Sequence, residues 1–314
     1  MSIPTLEEIR QAALRIKPFV HRTPVLTCQT LNRMVDAELF FKCENFQKVG
    51  AFKFRGATNA VLSLTDAEAG KGVCTHSSGN HAQALALAAT NRGIKSYIIM
   101  PRTAARVKID GVKGYGGEVI LCEPTLHARE STSADIQKKT GALFIHPYDN
   151  LIIITGQATA ALELNEEVKN LEIVMAPVGG GGLLSGTALA TRYLSSTTQV
   201  IAAEPKEADD AYRSFKSGSF VSSENPTTIA DGLLTSTGEI TFPLIQKYVT
   251  DIVTVTEENI VAAMKHTWER MKIIIEPSSA VPFGAILENR SQFKGKRIGI
   301  IISGGNVDLA NLPW

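Results

Sequence analysis

A run of four glycines is the strongest chemical signal in this 314-residue chain. Gly179, Gly180, Gly181 and Gly182 follow a predicted strand and lead into a predicted helix rich in Ala and Leu. Glycine lets the backbone approach an anion closely, and the N–H groups and dipole at a helix N-terminus attract negative charge. The run therefore predicts a phosphate site, with a flexible strand-to-helix turn as the alternative.

Two features restrict the phosphate compound that this loop could bind. No Lys-Ser or Lys-Thr pair follows the glycines, which argues against a P-loop nucleoside triphosphatase. The glycine spacing is not G-x-G-x-x-G, but Glu204 ends the next strand near the position of a ribose-binding acid. The loop alone leaves a dinucleotide open as a ligand.

Lys53 lies between Phe52 and Phe54 at the start of a probable helix. Apolar neighbours and a helix N-terminus both disfavour the charged ammonium, which makes a lysine more nucleophilic near neutral pH. Such an amine could form a Schiff base with a carbonyl compound. The alternative is an ordinary solvated lysine, the common state of this residue type.

Two further loops present polar side chains at predicted strand ends. Ser77, Ser78, Asn80 and His81 combine hydroxyl, amide and imidazole groups that could bind a carboxylate or move a proton. A helix cap would explain one of these residues but not all of them. Ser303 follows an apolar strand and could present its hydroxyl at a sheet edge, with a tight turn as the alternative.

The elements that must position these groups alternate between strand and helix, as in parallel sheets covered by helices. Nine strands are predicted, at 39–43, 72–75, 96–100, 118–121, 143–145, 173–176, 200–203, 251–255 and 297–302, with helices such as 81–91, 128–139 and 257–272. Nine strands are many for one open sheet, so we expect an α/β fold with two domains. The predicted small domain spans 71–149, and 1–70 with 150–314 forms the large one. Ligands of such folds bind beyond the carboxyl ends of the strands, where all four loops lie.

The overall composition excludes several classes of function. The chain has 32 Lys and Arg residues against 31 Asp and Glu, so its formal charge of +1 argues against nucleic acid or an anionic membrane as partner. No apolar run approaches the roughly 20 residues of a membrane helix. Charged residues within the first ten argue against a signal peptide, so we expect the cytosol. The four cysteines are widely spaced and do not predict a disulfide framework or a zinc site.

Taken in order, these segments resemble the fold-type II pyridoxal-phosphate enzymes, in the branch of serine racemases and serine/threonine dehydratases. The similarity extends from Thr-Pro-Val-Leu at 23–26 and Lys-Cys-Glu-Asn-Phe-Gln at 42–47 to Ser-Gly-Gly-Asn-Val-Asp at 303–308. It implies a two-domain α/β fold like that of the tryptophan synthase β chain. It also implies that Lys53 forms a Schiff base with pyridoxal 5'-phosphate. The other implied cofactor contacts are Phe52 on the pyridine ring, Asn80 on the phenolic oxygen, Gly179 to Gly182 on the phosphate, Gly232 in the ring pocket and Ser303 on the pyridine nitrogen.

The same resemblance implies an amino-acid substrate, bound by Ser77, Ser78, Asn80, His81 and Arg129. Ser78 matches the racemase base on the face opposite the lysine, and racemisation needs one group on each face of the α-carbon. The implied activity interconverts L- and D-serine and also dehydrates serine to pyruvate and ammonia. A threonine or L-threo-3-hydroxyaspartate dehydratase is the alternative within the family. The glycine loop with Glu204 alone leaves a nicotinamide-dependent oxidoreductase open, and the fold alone leaves open a non-catalytic cofactor-binding protein.

Two accessory sites are also implied by the resemblance. Residues 204–210 resemble the divalent-cation loop of the racemases, with Glu204, the Ala208 carbonyl and Asp210 as oxygen ligands for Mg²⁺, Ca²⁺ or Mn²⁺. Without the resemblance, this spacing would indicate only a solvated acidic turn. The positions of Gln83, Lys108 and Tyr115 match a nucleotide-effector site at a dimer interface, which implies ATP as an effector and a homodimer.

Overall fold

The computed structural model describes residues 2–314, in which helices and strands alternate along most of the chain. The strands are β1 (Val25–Leu26), β2 (Glu38–Cys43), β3 (Val73–His76), β4 (Ser96–Pro101), β5 (Glu118–Cys122), β6 (Leu143–Phe144), β7 (Ile173–Pro177), β8 (Gln199–Pro205), β9 (Asp251–Val255) and β10 (Arg297–Ile302). The helices are α1 (Leu6–Ile16), α2 (Gln29–Val35), α3 (Lys53–Leu62), α4 (Asp66–Ala69), α5 (Asn80–Arg92), α6 (Arg106–Gly114), α7 (Leu126–Thr140), α8 (Leu151–Glu167), α9 (Gly182–Leu194), α10 (Asp210–Ser217), α11 (Thr241–Tyr248), α12 (Glu257–Met271), α13 (Pro277–Glu288) and α14 (Arg290–Phe293).

The strands form two sheets. The larger has the order β1-β2-β10-β7-β8-β9, in which only β1 is antiparallel to its neighbour, and the smaller has the parallel order β5-β4-β3-β6. The predicted α/β fold with mostly parallel sheets is therefore confirmed. All nine predicted strands are present, whereas the two-residue β1 was not predicted. The predicted small domain, 71–149, contains the whole smaller sheet, and the division into domains stays a prediction.

Burial on both faces explains the apolar sequences of the central strands. Along β7, Val174 and Met175 point to opposite faces and pack into different cores, one with α8, α9 and α11 and the other with α2, α12 and α13. Within residues 2–314, no helix is both long and apolar enough to cross a bilayer.

Helix α3, which begins at Lys53, is held against α8 by close backbone contact. A Cβ added at Gly156 of α8 would lie 2.6 Å from the Cα of Gly56 in α3, so a side chain there would separate the two helices. Gly56 N also donates to Gln157 Oε1 at 3.1 Å. The turn that carries Lys53 is thus fixed to the large-sheet layer.

A buried ion-pair cluster between β2, α3 and α8 also fixes the turn that carries Lys53. Arg55, Glu44 and Lys42 are fully buried, and Glu163 of α8 is nearly so. Arg55 donates to both oxygens of Glu44 and to both oxygens of Glu163, and Lys42 Nζ donates to Glu163 Oε2 at 2.6 Å. Two positive and two negative groups therefore satisfy one another between β2, α3 and α8.

Candidate active site

Two of the predicted loops are in direct contact at the start of α3. The backbone N–H of Phe52 donates to the carbonyl of Ser303 at 2.9 Å, and Ala51 forms an isolated antiparallel bridge with Gly304. Lys53 therefore begins its helix beside the carboxyl end of β10. The sequence predicted both loops, and the register of the β2–β10 pair brings them together.

The environment of Lys53 favours a neutral amine. Its Nζ donates to the carbonyl of Pro147 at 2.8 Å and lies 5.2 Å from the centre of the Phe52 ring. Burial lowers the pKa of Lys53 to about 8, although the charge of Glu276 acts in the opposite direction. A lysine with this pKa is partly unprotonated near neutral pH, as Schiff-base chemistry requires.

The glycine loop offers four unpaired backbone donors. Within residues 2–314, the N–H groups of Gly179, Gly180, Gly181 and Gly182 form no hydrogen bond. The loop lies between β7 and α9, and Gly181 has a φ of +87°, which favours glycine. A Cβ at Gly180 would lie 2.4 Å from Tyr148 ring atoms, so the loop has no room for side chains. Unpaired donors at the N-terminus of a 13-residue helix fit a phosphate group.

Asn80 is joined to the β10 loop through a buried carboxylate. Its Nδ2 donates to the two oxygens of Glu276 at 3.0 and 3.2 Å, and the backbone N–H of Asn306 donates to Glu276 Oε2 at 3.1 Å. The side chain of Asn306 donates to Asn80 Oδ1 at 2.9 Å. Burial raises the pKa of Glu276 to about 7, against the hydrogen bond from Asn80. These contacts orient the amide that we predict to bind the phenolic oxygen of the cofactor.

Ser303 is buried, and within residues 2–314 its hydroxyl has one side-chain hydrogen-bond partner. Its Oγ lies 2.9 Å from Ser279 Oγ, which donates to the Gly304 carbonyl at 2.7 Å and accepts from the Gly304 N–H at 2.7 Å. Because Ser279 already directs its proton to that carbonyl, Ser303 can donate either to Ser279 or to a ligand. The site thus offers a hydroxyl, and not a carboxylate, at the predicted position of the pyridine nitrogen.

The predicted substrate loop lies between β3 and α5. Ser77, Ser78 and Asn80 are half-buried there, and Ser77 Oγ accepts from the backbone N–H of Gly79 at 3.4 Å. His81 is buried, which together with the charge of Lys53 lowers its pKa to about 3. Its Nε2 lies 3.2 Å from the Ile145 carbonyl and must donate to it. Nδ1 is therefore an acceptor that cannot donate to a carboxylate, so the hydroxyls of Ser77 and Ser78 are the side-chain donors that this loop offers to one.

The remaining predicted substrate and cofactor residues are Arg129 and Gly232. Arg129 is in the first turn of α7 and makes no salt bridge within residues 2–314, and its buried Nε has no partner. An unpaired arginine fits an anionic ligand. Gly232 is exposed, and its N–H donates to Ser278 Oγ at 3.1 Å.

The predicted cation ligands lie at the C-terminal end of β8 and in the residues that directly follow it. Glu204 is buried and accepts from the N–H groups of Ala211 at 3.0 Å and Tyr212 at 2.7 Å. Asp210 is 1% exposed, and neither of its carboxylate oxygens has a partner in the described chain. Ala208 ends a short 3₁₀ turn beside a cavity of about 250 Å³ that Asp210 also lines. Within residues 2–314, no group of three or more His, Cys, Asp or Glu side chains could hold a metal ion. The predicted set has only two carboxylates and a carbonyl.

The predicted effector residues lie around α6. Gln83 packs beside Gly111 of this helix, Tyr115 caps its C-terminus, and Lys108 Nζ forms a salt bridge with Asp231 Oδ2 at 3.0 Å. Asp231 directly precedes Gly232. The structure thus connects this cluster to the loop beside the predicted ring pocket, and its role in nucleotide binding stays a prediction.

Sequence reasoning missed the segment 146–150, which contacts several parts of the site. Pro147 accepts from Lys53, Tyr148 packs on the glycine loop, and Asn150 caps α8 by accepting from two backbone N–H groups. Asp149 Oδ1 accepts at the N-terminus of α11, from the N–H of the cap residue Ile240 and from that of Thr241. The segment begins two residues after β6, so the carboxyl-end rule applied to the other loops could have found it.

The comparison with protein families identifies the chemistry that this geometry serves. The family described as "Pyridoxal-phosphate dependent enzyme" matches residues 16–304. The chain belongs to this family. The match agrees with the amine at Lys53 and the unpaired donors of the glycine loop, and it gives no support to the nicotinamide alternative.

Individual relatives match this family member over nearly its whole length. A β-hydroxyaspartate dehydratase of Paracoccus denitrificans is 52% identical, over 100% of both chains. A serine racemase of Dictyostelium discoideum is 51% identical, over 99% of this chain and 98% of the relative. The structure of maize serine racemase superposes with a TM-score of 0.96 at 44% identity, covering 98% of this chain and 95% of that one. The fold-type II assignment is therefore confirmed.

Proposed function

We propose that this enzyme interconverts L- and D-serine and also dehydrates serine to pyruvate and ammonia. The observation that carries the proposal is the similarity, over nearly the full chain, to serine racemases and to a dehydratase of a related β-hydroxy amino acid. The serine, threonine and hydroxyaspartate reactions share an α-amino-β-hydroxy acid skeleton. One site can therefore serve both racemisation and elimination.

The residues present fit pyridoxal 5'-phosphate. Lys53 would hold its aldehyde carbon, Gly179 to Gly182 would hold its phosphate through their unpaired N–H groups, and Asn80 and Ser303 would contact the ring oxygen and ring nitrogen. Phe52 and Gly232 would complete the ring pocket. When bound, the cofactor supplies an electron sink that makes the α-hydrogen of an amino acid acidic.

Lys53 and Ser78 are the proposed pair of proton-transfer groups. Once the amino group of L-serine has taken its place on the cofactor aldehyde, Lys53, with its pKa lowered to about 8 by burial, would remove the α-proton as a neutral amine. The Ser78 hydroxyl returns a proton to the opposite face, which inverts the configuration. If the β-hydroxyl leaves before a proton returns to the α-carbon, it would leave as water with the proton that Lys53 removed, and hydrolysis of the remaining enamine gives pyruvate and ammonia. Ser77, Asn80 and His81 orient the substrate beside this pair.

A dehydratase for L-threo-3-hydroxyaspartate is the second candidate, and one observation favours it. Arg129 has no counter-ion in the described chain, so its guanidinium can donate to the second carboxylate of such a substrate, or to the α-carboxylate of serine. The dehydratase relative from P. denitrificans supports the same reading.

A divalent cation at Glu204, the Ala208 carbonyl and Asp210 is part of the proposal. Burial raises the pKa of Asp210 to about 6. Burial also raises the pKa of Glu204, and the negative charge of the neighbouring Asp210 acts in the same direction. Two buried carboxyl groups destabilised as anions, one with both oxygens unpaired, suit Mg²⁺, Ca²⁺ or Mn²⁺.

Three further assignments rest on the sequence and the family resemblance. ATP is proposed as an effector at Gln83, Lys108 and Tyr115, the assembly is proposed to be a homodimer, and the location is proposed to be the cytosol. Equilibrium sedimentation with and without ATP tests the first two together.

Chiral amino-acid analysis tests the activity directly. The purified enzyme is incubated in turn with L-serine, L-threonine and L-threo-3-hydroxyaspartate, and D-amino acid, keto acid and ammonia are measured. Formation of D-serine with some pyruvate supports the proposal. Keto acid from hydroxyaspartate, with no D-serine from L-serine, supports the second candidate instead.

A further inference from the structure

Backbone hydrogen bonds fix which ring nitrogen of His146 carries the proton. Its Nδ1 accepts from the N–H of Asp149 at 2.8 Å and from the N–H of Tyr148 at 3.3 Å. A neutral imidazole with an accepting Nδ1 carries its proton on Nε2. Burial lowers the pKa of His146 to about 4, so the ring stays neutral near pH 7. The histidine therefore has a permanent Nε2–H donor.

This donor has no partner within the described part of the chain, residues 2–314. The hydrogen bonds of His146 there involve Nδ1 only, and the residue is half-buried. Phe144 and Tyr148 pack edge-on against the ring, with centroid distances of 6.0 and 4.6 Å. A rigid donor without an acceptor in a partly open site is available to a ligand.

The position of His146 is next to the reacting amine. The following residue, Pro147, accepts from Lys53 Nζ at 2.8 Å. The ring of His76, at the end of β3, packs on Phe144 with centroids 5.1 Å apart, and Phe144 in turn packs on His146 at 6.0 Å. The substrate loop at 77–81 continues from His76. His146 is thus next in sequence to the residue that contacts the amine, and it is linked through Phe144 to the residue that precedes the predicted carboxylate loop.

We propose that His146 Nε2–H binds the oxygen on the β-carbon of the substrate and selects for β-hydroxy amino acids. The inference rests on the proposed function, in which the 77–81 loop takes the substrate carboxylate and Lys53 and Ser78 act on the α-carbon. In serine, the β-oxygen is the one oxygen outside the carboxylate. A neutral imidazole N–H is a suitable donor for it, because it holds the oxygen and keeps its own proton.

The variant His146→Asn removes the Nε2–H donor but keeps an acceptor for the turn at 146–149. Asparagine Oδ1 can replace Nδ1 as acceptor for the two backbone N–H groups, as in an Asx-turn, but the shorter amide does not extend to the position of Nε2. We measure kcat and KM for L-serine, and the exchange of the α-proton of L-alanine in deuterated water. Alanine undergoes the same α-carbon chemistry and has no β-oxygen.

The proposal expects kcat/KM for L-serine to fall roughly tenfold to hundredfold, as expected when a substrate hydrogen bond is lost. Exchange of L-alanine, the absorbance of bound cofactor and Tm should stay near those of the unaltered enzyme. An equal loss with both substrates would overturn the proposal, because it would show an effect through the fold. An unchanged reaction with L-serine would overturn it as well.

Two controls keep the outcome decisive. His146→Phe removes both nitrogens and should lower Tm and both reactions, since the turn is lost too. If His146→Asn does not fold, His146→Asp retains the acceptor and gives the same comparison. If the unaltered enzyme exchanges alanine but does not convert L-serine, the proposed function fails separately. The comparison is then made with L-threo-3-hydroxyaspartate, which also has a β-oxygen.

Discussion

Removing one member of the buried ion-pair cluster tests whether this cluster holds the turn that carries Lys53 in place. Arg55 donates to Glu44 at 2.7 and 2.9 Å and to Glu163 twice at 2.8 Å, and all three side chains are buried. The variant Arg55→Met keeps an apolar stem of similar length. It leaves two buried carboxylates with Lys42 as the single positive group among the four.

The expected cost of this change is large. Removing one partner of a buried ion pair costs about 3–5 kcal/mol, because an uncompensated charge is left behind. An unfolding entropy of about 2.1 cal/mol/K per residue corresponds to about 0.66 kcal/mol/K for 314 residues. The Tm of the cofactor-free protein should therefore fall by about 5–8 °C. The matched variant Arg55→Met/Glu44→Gln leaves Glu163 paired with Lys42 at 2.6 Å and should recover about half of the loss.

The pH dependence of this loss gives a second constraint. Burial alone would raise the pKa of Glu163, but the hydrogen bond and charge of Arg55, with those of Lys42, lower it. A carboxyl with a lowered folded-state pKa stabilises the fold above its unfolded value, about 4.3, and this stabilisation is lost as pH falls through the folded value. The difference between the unaltered protein and Arg55→Met should therefore be largest near pH 7 and smaller below about pH 4. Urea denaturation at both pH values measures it. A loss below about 1 kcal/mol at pH 7, or one that grows in acid, would refute this reasoning.

Three further predictions test the site. With a pKa of about 8, about one quarter of Lys53 is neutral at pH 7.5, whereas a lysine with the usual pKa of 10.5 would be neutral in about one molecule in a thousand. The rate at which cofactor-free protein reacts with pyridoxal phosphate should therefore level off just above pH 8, and a midpoint near pH 10 would contradict this. Ser78→Ala should lower D-serine formation about 10²- to 10⁴-fold while sparing some pyruvate formation, and chiral chromatography showing intact racemisation would remove Ser78 from its role. Mg²⁺ at about a hundredfold excess over its Kd should stabilise the protein against unfolding by about 2.7 kcal/mol and should not stabilise the variant Asp210→Asn. Thermal unfolding with and without a chelator measures this, and an equal shift of Tm in both proteins counts against the cation site.

The strands of both sheets were predictable because buried parallel strands have continuous apolar sequences bounded by turns. Asp251–Val255 and Arg297–Ile302 have the predicted bounds, and other predicted strands differ by one or two residues at an end. Val25–Leu26 was missed because two residues carry no periodic pattern. Its pairing with Phe41 and Lys42 is set by tertiary contact.

Local sequence also predicted the two loops with the most distinctive chemistry. Four glycines are unusual enough to indicate backbone–anion contact, and Lys53 between aromatic residues indicates a lowered pKa. The roles of Glu276 and His146 could not be predicted in the same way. Glu276 contacts Asn80, 196 residues away in sequence, so its burial depends on the fold. His146 depends on a turn that gives it a fixed tautomer, and its sequence shows only one histidine before a proline.

Reduction with borohydride, followed by peptide mass mapping, tests the central claim most directly. The claim is that the Lys53 amine binds the cofactor aldehyde while the glycine loop binds its phosphate. The account predicts one stable pyridoxyl adduct per chain, located on Lys53 and absent from Lys53→Ala. An adduct on another lysine, or no adduct from protein saturated with pyridoxal phosphate, would contradict it.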